Sequence, residues 1–360
     1  MKQSIIFIIL LIGFKANSQV QYIPIVKVNL PKEIYENSTR KFLSISNNDD
    51  STIFYNKHYS FSMTDFDLKN NKHVKNMSID MNSDKTEDYY YEFDGEGKIT
   101  FINDFVRQNI HTYKYSRNLI TITKHYKNSK STEVDSIYFD DKKNIIKQSY
   151  TAHQSDKTNE IYDLYAVEYK YSETNKLIKK YSYNHGNKDI LNTVNLYSYE
   201  YLSDSIIEKR FSVNNINKKD LYNPNIFNNK YKRKIYYLDK NNNIYKINTA
   251  VNNDPSENYY TLKYDKSGRI IELINNISEG WNSYFKFNNF GNISEIKMEN
   301  GVYLYKYDDH NYHTSEQIKE SKTLLKDYSY IYDKNSNWIK RIENTSNNAQ
   351  IFLSRKINYY

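Results

Sequence analysis

The sequence predicts an all-β protein, an antiparallel β-hairpin meander that repeats into an extended, curled or partly closed sheet. Three observations predict it. Large aromatic and aliphatic residues recur two apart in short runs, as in Tyr260, Leu262 and Tyr264. A turn led by Asp or Asn follows the run, with Gly or Asn three residues further on. Beyond Gly13, glycine stands between the runs and never inside one. A period of two places side chains on one face of a strand, whereas a helix needs a period of 3.6.

From the N-terminus, Met1-Lys2 and the apolar run Ile5 to Phe14 read as a signal peptide covering residues 1–18. Small residues at Ala16 and Ser18 place the expected cleavage between Ser18 and Gln19. The run is shorter than the ~20 apolar residues of a membrane anchor. The expected location is therefore secreted or periplasmic. With Lys2 and Lys15 removed, the formal net charge of +8 falls by two to +6. Basic and acidic residues are interspersed, which describes a solvated surface, and no nucleic-acid partner is expected. Cysteine is absent, which excludes disulfides, thiolate metal sites and a thiol nucleophile.

Residues 19–85 read as an N-terminal extended segment, with Pro24, Pro31 and a polar loop at Ser44 to Ser51. Phe61 to Met63 and Val74 to Met81 suggest an early hairpin there. Residues 86–360 form the repeat domain. Its aromatic strands include Tyr89-Tyr91-Phe93, Tyr113-Tyr115, Tyr169-Tyr171, Tyr197-Tyr199-Tyr201, Tyr303-Tyr305-Tyr307 and Tyr328-Tyr330-Tyr332. Between such aromatics stand Glu92, Lys114, Lys170, Glu200, Lys263, Lys286 and Lys306, the alternation of a half-buried strand. Tyr138-Phe139 and Tyr236-Tyr237 break that alternation. The polar stretch from Lys218 to Asn225 reads as an interruption where the sheet changes direction.

In the turns, a side-chain oxygen of Asp, Asn or Ser accepts from backbone N–H groups two residues on, and the residue three later takes a left-handed conformation. Asp94 with Gly97, Asp265 with Gly268 and Asn288 with Gly291 fit this geometry. Asn replaces Gly after Ser172, Asp239 and Asp308, and Asp333 is followed by Ser336 and Asn337. Asn300-Gly301 marks a tight hairpin at the opposite end. A hairpin cannot bury its aromatic face alone, so the units must associate side by side.

The pattern aromatic-Asp-x-x-Gly followed by aliphatics, in YDKSGRIIELI and YDKNSNWIKRI, resembles the YD repeat of RHS-type bacterial surface and secreted proteins. The likeness runs over about residues 89–345. It implies an exported all-β repeat fold able to wrap into a shell around a cargo. Departures concern the toxin-delivery role: Asp254-Pro255-Ser256 lacks the glycine of a DPxG processing sequence, and no further domain is expected after the last strand. The repeat carries no catalytic residues to transfer.

The chain holds no HExxH, GxSxG or phosphate-cradling loop. His310 and His313 stand close together beside Asp308 and Asp309, but a turn already accounts for the acidic residues. No metal, cofactor or catalytic residue is expected, and the chain is read as a non-enzyme. The expected function is a scaffold or binding module for a protein or polysaccharide, gripping its partner through Trp281 and Trp338. Alternatives are a small shell or immunity-type protein that sequesters a cargo, a glycan-active enzyme, or an outer-membrane β-barrel. Tyrosine throughout the strand centres argues against the barrel, whose aromatics gather at the two interfaces.

Overall fold

The computed structural model describes residues 73–360, apart from 82–83, 98, 130, 143, 154–160, 187–188, 228–230, 242, 252–258, 267–269, 276–281, 290–292, 300, 311 and 345–349. The expected leader, the loop at Ser44 to Ser51 and the strand at Phe61 to Met63 lie outside the described residues.

Among the described residues twenty-two strands follow one another. The first six are β1 Val74–Asp80, β2 Tyr89–Phe93, β3 Ile99–Asp104, β4 Asn109–Tyr115, β5 Leu119–Tyr126 and β6 Thr132–Phe139. Next come β7 Ile145–His153, β8 Ile161–Tyr171, β9 Leu177–His185, β10 Ile190–Tyr201, β11 Ser205–Asn217 and β12 Lys232–Leu238. Then β13 Ile244–Val251, β14 Tyr259–Tyr264, β15 Ile270–Asn275, β16 Ser283–Phe287 and β17 Ile293–Met298. The last are β18 Gly301–Tyr307, β19 His313–Ile318, β20 Leu324–Tyr332, β21 Trp338–Asn344 and β22 Gln350–Tyr359. Each strand pairs antiparallel with the next, as a meander requires.

The ring is closed. β1 also pairs antiparallel with β22, from Val74 opposite Tyr359 to Asp80 opposite Ser354. The backbone of Tyr360 then donates to His73, and its hydroxyl donates to the carbonyl of Phe93. This corrects the expectation of an extended, curled or partly closed sheet. An open sheet leaves two rows of unpaired N–H and C=O groups, and closure removes both. β1 precedes residue 86, yet it is bonded on both sides and completes the ring.

Pairing separates the two faces. Met77, Tyr91 and Ile102 lie in one cross-strand row, and the same face carries Tyr113, Ile122, Ile137, Val167, Tyr169, Tyr199, Tyr236, Leu262, Phe285 and Tyr305, all buried. These residues form three clusters that pass from strand to neighbouring strand. Side chains converge on the concave side of a closed sheet and splay on the convex side, so this buried face is the inner one. On the other face Glu92, Lys114, Lys170, Glu200, Lys263, Lys286 and Lys306 are all exposed, as the alternation predicts. Lys263 meets Glu272 directly across the strands at 2.9 Å, and Lys286 meets Glu295 at 2.8 Å one hairpin later.

The units that break aromatic alternation keep the inner face by other residues. In β6, Ile137 and Phe139 point inward, and in β12 Tyr236 and Leu238 do. The polar interruption after β11 does not redirect the sheet, because β11 pairs directly with β12. It forms two 3₁₀ turns, Lys218–Asp220 and Pro224–Ile226. Leu221 and Phe227 from this strap cover Ala166, Tyr181, Tyr183, Val194 and Leu196 on the outer face.

The described turns combine a side-chain acceptor with a left-handed residue. Asp94 accepts from the N–H of Glu96, and Gly97 stands at φ +83°. Asn175 takes φ +66° after Ser172. Asp333 accepts from the N–H groups of Asn335 and Asn337, and the left-handed residue is Ser336 at φ +62° rather than Asn337. Gly301 opens β18 at φ +138° instead of lying wholly between strands. Gly268, Gly291 and Asn300 lie outside the described residues, whereas Asp265 and Asn288 sit half-buried at the ends of β14 and β16.

A repeated hydrogen bond explains the tyrosine that closes several of the aromatic strands. Tyr115 donates to the carbonyl of Ile99, Tyr171 to Ile145 and Tyr201 to Leu177. Tyr264 donates to Ile244 and Tyr307 to Ile293. Each phenol thus reaches the first aliphatic residue after the preceding unit's turn. Farther along, Tyr332 donates to Asp308 and Tyr359 to Asp333, so turn carboxylates also receive the next unit's phenol. Burial, foremost, pushes the phenols of Tyr115, Tyr264 and Tyr307 well above their usual range, so these donors keep their protons.

Candidate functional site

The inner face is not uniformly apolar. On β9 to β12 the aromatic belt gives way, along the strands, to polar and charged residues. Register places Lys180 opposite Tyr197, and Tyr197 opposite Arg210. The next strand adds Lys232 opposite Arg210 and Lys234 opposite Glu208. Four cations thus share this surface with one carboxylate. Among the described residues, none of the four makes a side-chain ion pair.

The deeper layer is buried. Lys180 is 8% exposed and Glu208 3% exposed. The Lys180 ammonium sits 4.1 Å from the centre of the Tyr197 ring, and Arg210 lies over that ring at 5.4 Å. Tyr236 donates to Glu208 at 3.3 Å. Burial pulls Lys180 down to about 8, against the attraction of Glu208. Burial also holds the Glu208 carboxyl above its usual range, although Lys234 and Lys180 oppose this. Both shifts run toward neutral forms, so desolvation outweighs attraction within the pair.

The outer layer opens to solvent. Arg210 and Lys232 are exposed, and Tyr165 on the same face is 40% exposed. Arg210 donates from Nε and Nη2 to Asn195 Oδ1, which also accepts from Ser212 Oγ at 2.6 Å. Ser182, Asn195 and Ser212 form one row across β9, β10 and β11. Eight strands close around an interior filled by their own side chains, and twenty-two enclose far more. Solvent-exposed groups on the inner face are the local expression of that space.

Sequence reasoning did not single out this cluster. A bulge hides it: Lys170 pairs with Lys179 but Tyr171 pairs with Leu177, leaving Ile178 extra. Counting by twos from Leu177 selects Tyr181 and Tyr183 as inward, yet the bulge turns both outward and Lys180 inward. The alternation of β9 carries no trace of the extra residue, and only the pairing of Tyr169 with Lys180 shows it.

Trp338, one of the two residues expected to bind, lies elsewhere. Trp338 is 4% exposed; the Arg355 guanidinium covers it at 3.6 Å, and the backbone carbonyl of Trp338 accepts from Arg355 Nε. Its ring therefore offers its surface to Arg355 rather than to solvent. Trp281 lies outside the described residues. His310 packs on Tyr332, and His313 packs among Tyr305, Tyr307 and Tyr328. Among the described residues no group of His, Asp and Glu has metal-binding geometry. None of the described helices is long and apolar enough to cross a membrane, which leaves strand-built crossing untouched.

No protein-family model matches the chain, and no curated protein resembles it in sequence. Among solved structures, the Photorhabdus luminescens Tc holotoxin pore matches at TM-score 0.34 and 11% identity, over 72% of this chain and 12% of that one. The TcdB2-TccC3 structure matches at TM-score 0.29 and 10% identity, over 76% of this chain and 21% of that one. A porin-like protein from Bacteroides vulgatus matches at TM-score 0.21 and 10% identity, over 80% of this chain and 98% of that one. The chain thus spans a minor part of the first two. At such scores none of the three lends this chain a function, and the YD likeness rests on the motif and its turn geometry.

Proposed function

We propose that the protein is an exported, non-catalytic β-ring that binds a polymer or protein partner on its inner face. The observation that carries this reading is the solvent-exposed layer of the inner face at β9 to β12, where Arg210 and Lys232 stand beside Ser212 and Tyr165 above a buried belt. Exposed cations with no carboxylate in ion-pair contact leave their donors available to an anionic or polar partner. A binding role supplies that partner, and the rigid ring presents the contact groups at fixed spacing.

A second reading, an outer-membrane β-barrel, is favoured by closure of an antiparallel ring with an even number of strands. The distribution of charge weighs against it. A membrane barrel needs an outward apolar band, and a Lys at the midplane costs about 2–4 kcal/mol. The outer face carries Lys263, Lys286 and Lys306, and the inner face carries Lys180, Arg210 and Glu208. Among the described residues the outer face offers lipid no unbroken apolar band.

Fractionation of cells expressing the full chain separates the two readings. The binding reading expects the protein in the soluble exported fraction without detergent, with the leader removed in the intact mass. Recovery only from detergent-extracted outer membranes would establish the barrel reading instead.

A further inference from the structure

We propose that the exposed layer on the inner face of β9 to β12 binds the carboxylates of an acidic polysaccharide. The proposal rests on the binding-ring reading above and names its ligand class.

The first ground is charge. Arg210 and Lys232 face each other across β11 and β12, both exposed, with no carboxylate in ion-pair contact among the described residues. Glu208 lies a layer deeper, buried, and is hydrogen-bonded by Tyr236. The exposed layer is therefore cationic, and an anion can approach it without displacing a built-in partner. Arg210 has its Nε and Nη2 on Asn195, which holds the guanidinium in one orientation. The Nη1–Nη2 edge, held in place by those bonds, is the side suited to carboxylate oxygens.

The second ground is the hydroxyl and amide row beside those cations. Ser182, Asn195 and Ser212 occupy one register line over three adjacent strands, spanning about 10 Å. That is the length of about two sugar rings. Tyr165 sits at its end, with its hydroxyl 3.2 Å from Ser182 Oγ and its ring exposed. Short polar side chains next to an exposed aromatic ring match a sugar, which presents hydroxyls at its edge and C–H groups on its face. An acidic peptide would use the cations but has no need of the hydroxyl row. The two grounds together select a uronate-bearing glycan.

The test uses the mature protein in titration calorimetry with oligogalacturonate, methyl-esterified oligogalacturonate and polyglutamate, with inorganic sulfate as the free-anion control. Oligogalacturonate should bind, more weakly as salt is raised, and the esterified form should not. Arg210→Gln with Lys232→Gln should weaken binding at least about tenfold. Both residues are exposed, so the melting temperature should hold, and Lys232→Gln alone provides a milder check. Polyglutamate binding as tightly as oligogalacturonate would assign the patch to an acidic peptide and overturn the proposal. Equal oligogalacturonate affinity in the double variant would move the site elsewhere, leaving the binding ring itself intact. Sulfate binding with no oligogalacturonate binding would reduce the patch to an adventitious ion only, which also overturns it.

Discussion

Removing single hydroxyls from the tyrosines that link successive units should weaken the ring by a calculable amount. The five bonds from Tyr115, Tyr171, Tyr201, Tyr264 and Tyr307 to preceding carbonyls measure 2.6 to 3.0 Å. All five rings are half-buried, so a Tyr→Phe change keeps the packing and leaves a carbonyl poorly solvated. Each such bond contributes about 1 kcal/mol net. Tyr115→Phe and Tyr264→Phe lie in distant units and should add, giving about 2 kcal/mol together. The full five-fold variant should lose about 5 kcal/mol, a large share of the roughly 5–15 kcal/mol that holds a folded protein. Urea unfolding followed by fluorescence measures this through the midpoint, with an unchanged slope expected. Tyr245→Phe on an exposed ring is the control and should stay within about 0.5 kcal/mol. If the linking variants prove no weaker than Tyr245→Phe, the phenol-to-carbonyl contacts do not hold the units together.

The pH response should carry the mark of Lys180, which is faced by Glu208, Arg210, Lys234 and the Tyr197 ring. Folded, it releases its proton near 8; unfolded, it does so near 10.5. Between those values the unfolded chain binds more protons, so stability rises with pH, by about 3 kcal/mol in all. Lys180→Met should flatten that rise in unfolding curves taken at pH 7.5, 8.5 and 9.5; an unchanged rise would show that Lys180 is not its source. Backbone geometry supplies a further test, because Ser336 and Gly97 both occupy the left-handed region. Ser336→Gly should stabilise by about 1 kcal/mol and Gly97→Ala should destabilise by a similar amount, read from thermal melts; opposite signs would contradict the turn assignment.

Much of the strand order was legible because the signals are local. Alternation along Tyr197-Tyr199-Tyr201 and the charged residues between aromatics, such as Lys263 and Lys286, declare a two-sided strand without reference to the rest of the chain. The Asp94-to-Gly97 offset likewise reports a turn from four residues alone. Where aromatics broke step, at Tyr138-Phe139 and Tyr236-Tyr237, the aliphatic neighbours Ile137 and Leu238 kept the inner face, which pattern counting by aromatics misses. The candidate site escaped for a different reason. A single extra residue at Ile178 reverses which side chains of β9 face inward, and bulges leave no compositional trace.

By its own residues, then, the chain determined hairpins, their turn chemistry and the aromatic side of each strand. These depend on contacts between residues near in sequence, whose geometry a period of two and a short polar offset express directly. Only the tertiary structure decided that β1 meets β22, that the strap from Lys218 covers the outer face, and that Lys180, Arg210 and Lys232 converge. Each of these depends on partners brought together by register and closure, and the free energy of closing a sheet edge belongs to the whole ring rather than to any one repeat.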